Sequence, residues 1–152
     1  MLLVNSQEKL ISLLEKHQIV YELIYHADPI HTVNEAKKYF NVHQAVPVLI
    51  VKTERGFFSL LVSGARGHVD LEVIKKVLGC KEVCMASKQE ALQKTGYEIG
   101  KIPLIGHSLP CIFDTRLLEH PHVYGGTADK NYTLKIDPSD LTKLNNIIAT
   151  ID

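Results

Sequence analysis

The stretch of the chain that most restricts its fold is "VPVLIVKTERGFFSLLVSG", from Val46 to Gly64. Two apolar runs rich in β-branched and aromatic residues flank the polar segment "TERG", where Gly56 can take a positive φ angle without a steric penalty. This pattern predicts a β-hairpin with Lys52 near the end of its first strand. A lysine at a strand end often protects a sheet edge from unwanted pairing, so Lys52 has a structural explanation before any functional one.

Helix and strand patterns precede the hairpin. Apolar residues recur with helical spacing from Gln7 to Leu14, and the segment from Ile19 to His26 has the composition of a strand. The motif "TVNE" predicts a second, short helix, because Thr32 can cap its N-terminus while Glu35 reaches back to the amide of the cap. The chain therefore opens with a helix, a strand and a further helix.

Two more capped helices follow the hairpin. Asp70 can cap a helix that Gly79 ends, and Ser87 with Glu90 forms a capping-box pattern before a helix that ends at Gly96. The segment "KEVCMA" between these helices reads as a strand. Helices therefore alternate with extended segments in this part of the chain.

The C-terminal third contains the strand patterns "CIFD", "HVYGG" and "YTLKI", and Pro138 then opens a helix predicted to run through "SDLTKLNNII". The total is about six or seven strands and four or five helices. Hairpins and helix-linked strands are mixed, which predicts an α/β fold with a mostly antiparallel, curved or barrel-like mixed sheet and flanking helices. We expect residues 1–152 to form one domain.

Composition excludes several classes of protein. Residues of the apolar types make up 45% of the 152 residues and charged residues 22%, which is ordinary for a soluble globular protein. The longest apolar run, Ala45 to Val51, is far shorter than the roughly 20 residues of a membrane span. No basic region leads into an apolar stretch at the N-terminus, so we expect a cytoplasmic protein with no membrane partner.

The three cysteines, Cys80, Cys84 and Cys111, are an odd number without the paired spacing of a zinc site. Buried thiols in a reducing compartment explain them better than a disulfide framework or a redox role. The 17 basic and 17 acidic residues cancel, so the chain lacks the basic excess of non-specific nucleic-acid binders. A polynucleotide partner would need a local basic patch.

Eight histidines raise the question of a metal site. His120 and His122 could lie on one face of a strand, but nothing in the spacing brings His107 or Asp114 to them. No H-E-x-x-H motif, nucleophile elbow or phosphate-binding glycine loop occurs in the chain. We therefore expect no metal and no cofactor.

Two glycine-led loops remain as candidate sites. The loop from Gly96 to Pro110 can present backbone amides to an oxyanion or a carbonyl, although a plain surface connection explains its composition as well. The segment "GGTADKN", from Gly125 to Asn131, is most simply a turn between strands. Its amides and Lys130 could instead contact a phosphate group.

Five blocks of the sequence, "LIVKT", "SGARGHVDLEVIKKVLG", "TGYEIGKIPLIGH", "CIFDTRLL" and "VYGGTADKNYTLKIDPSDL", resemble the YbaK/EbsC/ProX family of aminoacyl-tRNA editing domains. The resemblance covers about Ile24 to Leu144. Each block is short, but together they keep the family's order and spacing. The resemblance implies trans-editing, which is hydrolysis of the ester that joins a wrong amino acid to a tRNA.

The resemblance also implies which residues form the site. Lys52 matches the family's essential lysine, whose ammonium could hold the terminal phosphate of the tRNA or the region of the acyl carbonyl. Gly100 and Gly106 match the family's glycine and proline loop, Pro103 matches it approximately, and Leu104 stands where the family typically has proline. Asp114 falls on a frequent family position that we interpret as structural.

The candidate site residues are therefore of two kinds. The catalytic candidates are Lys52, Gly100 and His107. The substrate-binding candidates are Thr32, Ile50, Ser63, Gly64, Arg66, Ile102, Pro103, Leu104, Gly106, Gly125, Gly126 and Thr127. None of their side chains is an obvious nucleophile or general base, so the implied mechanism is water attack on the ester, with backbone amides and the ribose hydroxyl of the substrate assisting.

Editing exists because a synthetase pocket separates amino acids that differ by one methylene by only about 1 to 3 kcal/mol. The implied substrate is a small amino acid on proline tRNA, with a prolyl-tRNA or other synthetase as a possible partner. Leu104 alters the loop that sets the pocket volume and leaves the amino acid open. The cations available for tRNA contact are Lys37, Lys38, Lys52, Arg66, Lys101 and Lys130.

Two alternatives stay open at this stage. An inactive relative could bind aminoacyl-tRNA or a synthetase as a regulatory module, and a cleft blocked by Ile102 or Leu104 would favour it. A small-molecule or metal-dependent hydrolase on the same fold would need His107, His120 or His122 to converge on one point.

Overall fold

The framework of the protein is two β-sheets with helices packed around them. The computed structural model describes residues 6–30 and 32–152. The strands in these residues are β1 (Tyr21–Tyr25), β2 (Ala45–Val46), β3 (Val48–Thr53), β4 (Gly56–Leu61), β5 (Val83–Met85), β6 (Cys111–Asp114), β7 (Val123–Gly125), β8 (Tyr132–Ile136) and β9 (Ile147–Ile151). The helices are α1 (Ser6–Lys16), α2 (Val33–Ala36), α3 (Leu71–Leu78), α4 (Lys88–Thr95) and α5 (Pro138–Leu144), with 3₁₀ turns at Gly64–Arg66 and Thr115–Glu119.

The strand order is β1-β8-β7-β2 in the first sheet and β5-β3-β4-β6-β9 in the second. Antiparallel pairs join β1 to β8, β7 to β8, β3 to β4 and β3 to β5, while β2 with β7, β4 with β6 and β6 with β9 are parallel. The predicted mixed, mostly antiparallel architecture is therefore confirmed. Among the described strands neither sheet closes on itself, so the structure has curved open sheets rather than a barrel.

The predicted hairpin is formed by β3 and β4. Lys52 pairs with Phe57 and Thr53 with Gly56, whose φ angle is +116°. The Thr53 hydroxyl donates to the carbonyl of Gly56 at 3.0 Å and accepts the amide of Arg55 at 2.9 Å, so the turn is held by its own polar groups. The hairpin is the most locally determined part of the fold.

The predicted helix caps are also present. The hydroxyl of Ser87 and the carboxylate of Glu90 form the two bonds of a capping box at α4. At α3 the carboxylate of Asp70 accepts the amide of Glu72. At α2 the Thr32 hydroxyl accepts the amide of Glu35 at 3.2 Å, but the Glu35 carboxylate binds that hydroxyl at 3.4 Å rather than the backbone amide of the cap.

The prediction for the C-terminus was wrong. Helix α5 ends at Leu144 and does not reach Ile148, because Asn145 has an extended backbone (ψ 153°) and its side-chain amide donates to the carbonyls of Leu104 and Leu141, each at 3.0 Å. The β-branched segment that follows forms β9 against the free edge of β6. The sequence analysis also missed the two-residue strand β2.

The main hydrophobic core joins the first sheet, α1 and α5 to β4 and β6 of the second sheet, and includes Leu14, Leu104 and Leu134, which have no exposed surface. A smaller cluster joins Ile50 of β3 to Ala91 of α4 and to Ile102. Cys80 and Cys111 are buried as expected, whereas Cys84 on the edge strand β5 is exposed. No helix in the described ranges is long and apolar enough to cross a membrane.

Candidate functional site

A cleft of about 210 Å³ opens between α2, the start of β3 and the two glycine-led loops. The residues that line it are Ile30, Thr32, Val33, Ala36, Phe40, residues 45–49, 99–102 and 124–130, Tyr132 and Thr133. Most of the wall is apolar, and the polar groups are concentrated in the turn between β7 and β8. A small, largely preformed apolar hollow with a few convergent polar groups has the character of a ligand site.

The floor of the cleft depends on two adjacent glycines at the end of β7. A Cβ atom on Gly125 would lie 2.5 to 2.6 Å from the side chain of Leu104, and one on Gly126 would lie 2.7 Å from the carbonyl oxygen of Ile102. The amide of Leu104 donates to the carbonyl of Gly126 at 3.2 Å. The glycine pair is thus required for the Ile102–Leu104 segment to pack against β7.

The loop that leads into this contact has backbone amides without a partner in the described ranges. Gly100 has φ +90°, a conformation that glycine adopts without strain, and it lines the cleft. The amides of Gly100 and Ile102 donate no hydrogen bond to the described residues. These two amides are therefore candidates for binding a ligand atom that carries negative charge.

The turn between β7 and β8 is fixed by one buried hydroxyl. Thr127 Oγ1 accepts the amide of Asp129 at 3.2 Å and lies 3.1 and 3.2 Å from the carbonyl oxygens of Asp129 and Tyr132. The neighbouring Ala128 has φ +75°, which is strained for a residue with a Cβ atom. Such strain persists where the surroundings impose it, and this turn lines the cleft.

A histidine and a threonine that sequence analysis missed form a second polar feature. His26 Nδ1 lies 2.8 Å from the carbonyl oxygen of Asp28, which can only accept, so this nitrogen carries a proton. In the neutral ring Nε2 then accepts the hydroxyl of Thr133 at 3.0 Å. Thr133 lines the cleft and keeps lone pairs for another donor. Nothing in the sequence signals this pair, which is 107 residues apart.

Lys52 does not line the cleft. Val48 of the same strand does, and Lys52 is four residues further along, which is about 13 Å. Its ammonium binds Glu90 of α4 at 2.6 Å while 49% of the side chain stays exposed. The hydrogen bond to Glu90 raises the pKa of Lys52, and the same bond, helped by the amide of Ser87, lowers the pKa of Glu90 to about 2. The lysine is held as one half of an ion pair.

Arg66 binds Asp114 rather than solvent. Its Nε and terminal nitrogen lie 2.9 and 3.1 Å from the two carboxylate oxygens, and the amides of Ser63 and Arg116 donate to the same carboxylate, each at 3.0 Å. Burial opposes ionisation of Asp114, yet these bonds hold its pKa below the usual value. The geometry gives Asp114 a structural role, and Arg66 is already engaged.

His107 is a core residue in this structure. It is 2% exposed, its Nδ1 accepts the amide of Leu109 at 3.3 Å, and its Nε2 has no hydrogen-bond partner among the described residues. Burial lowers the pKa of His107 to about 4, so the ring is neutral at physiological pH. Leu104 is likewise buried in the core and leaves the cleft open.

The structure therefore separates the predicted site residues into two groups. Those that line the cleft are Thr32, Gly100, Ile102, Gly125, Gly126 and Thr127. Those that lie outside it are Ile50, Lys52, Ser63, Gly64, Arg66, Pro103, Leu104, Gly106 and His107. Pro103 and Gly106 instead border a second hollow of about 250 Å³ beside α1. Gly64 supports the cleft wall from behind, since a Cβ atom there would lie 2.9 Å from the carbonyl of Val42.

Two cations, Lys101 and Lys130, line the cleft, and the ammonium of Lys101 lies 3.5 Å from the carboxylate of Glu98. Lys37 and Lys38, which follow α2, and Lys130 form no ion pair with any described residue. No group of three or more histidine, cysteine, aspartate or glutamate residues in ranges 6–30 and 32–152 could hold a metal ion.

The curved mixed sheets and the glycine-walled cleft define an α/β domain with a candidate site for a small ligand. Residues 27–144 match the sequence profile of the aminoacyl-tRNA editing domain, so the chain belongs to that family, as its sequence motifs predict. One similar structure, the hypothetical protein APE2540, has a TM-score of 0.85 and 24% identity, covering 94% of this chain and 97% of that one.

Two further structures share the fold over nearly their whole length. A scaffold from the computational grafting of linear epitopes has a TM-score of 0.83 and 25% identity, covering 99% of this chain and 97% of that one. A protein provisionally described as a trans-editing enzyme for prolyl-tRNA synthetase has a TM-score of 0.81 and 26% identity, covering 97% of this chain and 96% of that one. The chain is thus similar to proteins of this architecture along its full length.

Proposed function

We propose that this protein is a trans-editing deacylase that hydrolyses the ester between a small amino acid and proline tRNA. The observation that carries the proposal is the cleft lined by both the Gly100–Ile102 loop and the Gly125–Gly126 pair, in a chain that belongs to the aminoacyl-tRNA editing family. The similarity to a protein described as acting for prolyl-tRNA synthetase supports proline tRNA, and a prolyl-tRNA synthetase as partner. Residues 1–152 would act as one editing domain.

The cleft has room for a small acyl group. Its volume of about 210 Å³ is far above the roughly 10 to 15 Å³ of the same measure that one water molecule needs, so an attacking water fits beside such a group. Ile102 and Val46 give the wall an apolar surface that suits alanine better than a charged side chain.

The proposed reaction needs little from side chains. Water attacks the ester carbonyl, and the amides of Gly100 and Ile102 stabilise the negative charge that develops on its oxygen. The bond to the ribose oxygen then breaks, and this oxygen takes up the proton that the water loses. A ribose hydroxyl of the substrate takes part in positioning the water. Thr133, whose hydroxyl is oriented by His26, is a further acceptor on the cleft wall.

The catalytic part assigned to Lys52 rests on the family resemblance. For its ammonium to reach a substrate it would have to leave Glu90, which binds it at 2.6 Å. Both side chains are long and the ion pair is exposed to solvent, which screens it, so a phosphate oxygen could displace the carboxylate at low cost. Glu90 would then be the partner of the lysine when no substrate is bound.

The ion pair between Lys52 and Glu90 favours a second candidate function. If Lys52 stays bound to Glu90, the protein could bind an aminoacyl-tRNA end without hydrolysing it and act as a regulatory module. The position of Leu104 counts against this alternative, because its side chain lies in the core and leaves the cleft open. Hydrolysis by the purified protein decides between the two.

The test is ester loss from tRNAs charged with alanine, cysteine, serine and proline. We expect selective loss from one mischarged proline tRNA, and a large fall in rate for Lys52→Ala. Lys88→Ala provides the matched control, because Lys88 is an exposed residue of α4 with no ion pair to the described residues. Wild-type activity in Lys52→Ala would refute the role of the lysine, and no loss above background with any tRNA would refute deacylation.

A further inference from the structure

The second hollow, beside α1, is a space distinct from the cleft. Consecutive residues of one short segment face the two spaces, because Ile102 lines the cleft while Pro103 lines the hollow. Leu104, which follows them, is held by two hydrogen bonds. Its amide donates to the carbonyl of Gly126 at 3.2 Å, and its own carbonyl accepts the side-chain amide of Asn145 at 3.0 Å. This segment is therefore a fixed partition between the cleft and the hollow.

The hollow has room for a small organic molecule. Its volume is about 250 Å³, compared with the roughly 150 Å³ of an engineered protein cavity that binds benzene. Most of its surface is apolar, and the residues that supply this surface include Leu10, Leu13, Tyr97, Pro103 and Ile105. Because burial of apolar surface is favourable, a ligand with an apolar body would gain free energy by entering.

The charged residues that line the hollow, within ranges 6–30 and 32–152, are two lysines of α1. Lys9 and Lys16 are seven residues apart, which is two helical turns, so they lie on one face of the helix with Ser12 between them. Both lysines are exposed, and neither forms an ion pair with a described residue. The hollow thus combines an apolar interior with two cations.

The dipole of α1 accounts for only one of these lysines. A cation in the last turn of a helix is stabilised by the dipole, which explains Lys16. Lys9 is the fourth residue of a helix that begins at Ser6, and a cation there faces the positive end of the dipole. Lys9 is therefore an unfavourably placed cation without a partner among the described residues, beside a hollow that an anion could enter.

We propose that the second hollow binds a small organic carboxylate, with its apolar body against Leu13 and Pro103 and its carboxylate held by Lys9 and Lys16. The Cα atoms of the two lysines are about 10 Å apart along the helix, and their flexible four-carbon stems let both ammonium groups reach one carboxylate. Hydrogen bonds between ammonium groups and a carboxylate are stronger than those between neutral groups. The site lies outside the cleft, so the proposal does not depend on the proposed function.

The experiment titrates the isotope-labelled protein with phenylacetate, phenylacetamide and acetate, and follows amide NMR signals. Phenylacetate has both the apolar body and the charge, and we expect it to bind with a Kd of a few millimolar or tighter. The shifted signals should include those of Leu13, Tyr97 and Ile105. Phenylacetamide keeps the ring without the charge and should bind about 2- to 30-fold more weakly, the range for the loss of two exposed ion pairs. Acetate lacks the ring and should give no saturable shift.

Two variants test the two parts of the site. The double variant Lys9→Gln/Lys16→Gln should bind phenylacetate about 2- to 30-fold more weakly and phenylacetamide as the wild type does. Ser12→Phe introduces a ring into the hollow from an exposed helix position and should abolish binding of both compounds. Lys88→Gln is the matched control, because Lys88 is an exposed lysine of α4 that does not line the hollow. Far-UV circular dichroism checks that each variant is folded.

Four results would overturn the proposal. The absence of a saturable shift with phenylacetate would refute the site, and equal affinities for phenylacetate and phenylacetamide would refute the part played by the carboxylate. Saturable binding of acetate would mean that the lysines attract any small anion. Shifts confined to the cleft and unchanged in Ser12→Phe would place the ligand in the cleft instead. Because none of these measurements requires ester hydrolysis, the proposal and the deacylase can each fail without the other.

Discussion

Acid should destabilise the protein through His107. Burial lowers the pKa of this imidazole to about 4 in the folded protein, whereas an unfolded chain has the ordinary value of 6.5. Between these values the unfolded chain binds a proton that the folded protein does not, so the free energy of unfolding rises with pH. The stability associated with the neutral ring is complete above pH 6.5 and is lost as the pH falls through about 4.

The magnitude follows from the two pKa values. They differ by about 2.5, and each pKa unit corresponds to about 1.36 kcal/mol, which gives a loss of about 3 kcal/mol on going from pH 7 to pH 4. This loss is a large share of the free energy of unfolding of a typical domain, which is about 5 to 15 kcal/mol. His107 alone should make the midpoint of urea unfolding visibly dependent on pH.

The assay is urea unfolding followed by far-UV circular dichroism at several pH values between 4 and 7, because the chain contains no tryptophan. The matched variant is His107→Asn, whose amide oxygen can accept the amide of Leu109 but does not titrate. The stability difference between wild type and variant should shift by about 3 kcal/mol in favour of the variant as the pH falls. A difference that stays constant from pH 7 to pH 4 would refute the reasoning.

Three further predictions test other parts of the account. Arg66→Met leaves the buried carboxylate of Asp114 unpaired and should destabilise the fold by about 3 to 5 kcal/mol, measured by urea unfolding, and a smaller loss would mean that water replaces the arginine. Gly125→Ala places a Cβ atom 2.5 Å from Leu104 and should lower the free energy of unfolding by about 1 to 3 kcal/mol. In a Leu104→Ala background the same Gly125→Ala change should lower it by less, because the clashing side chain is gone. Gly100→Ala strains a backbone with a φ angle of +90° and displaces the proposed oxyanion amide. The kcat for deacylation should fall at least about 10-fold, while the free energy of unfolding falls by only about 1 to 2 kcal/mol. An unchanged kcat would exclude this loop from catalysis.

The features that could be predicted from sequence are those fixed by neighbours in the chain. The hairpin follows from two β-rich runs and Gly56, and the capping box of α4 follows from Ser87 and Glu90, which contact each other three residues apart. The family motifs likewise led to the Gly125–Gly126 pair, because a double glycine after a strand is a local signal. Each of these features depends on short-range geometry, which the local order of residues indicates.

The features that could not be predicted depend on contacts between distant segments. The end of α5 is decided by the bond from Asn145 to Leu104, 41 residues away, and not by helix propensity. The hydroxyl of Thr133, on the cleft wall, is bound by His26, which lies 107 residues away in the sequence. Lys52 was expected to face the pocket from its strand position, but its ammonium binds Glu90, which α4 brings beside β3. No local pattern contains this information.

The measurement that tests the central claim most directly is the single-turnover rate of ester loss from proline tRNA carrying alanine, beside the same tRNA carrying proline. The account predicts that the wild-type protein releases alanine well above the uncatalysed rate and spares proline, because the cleft takes a small acyl group. Equal background rates for both esters, with the protein folded and in excess, would contradict it.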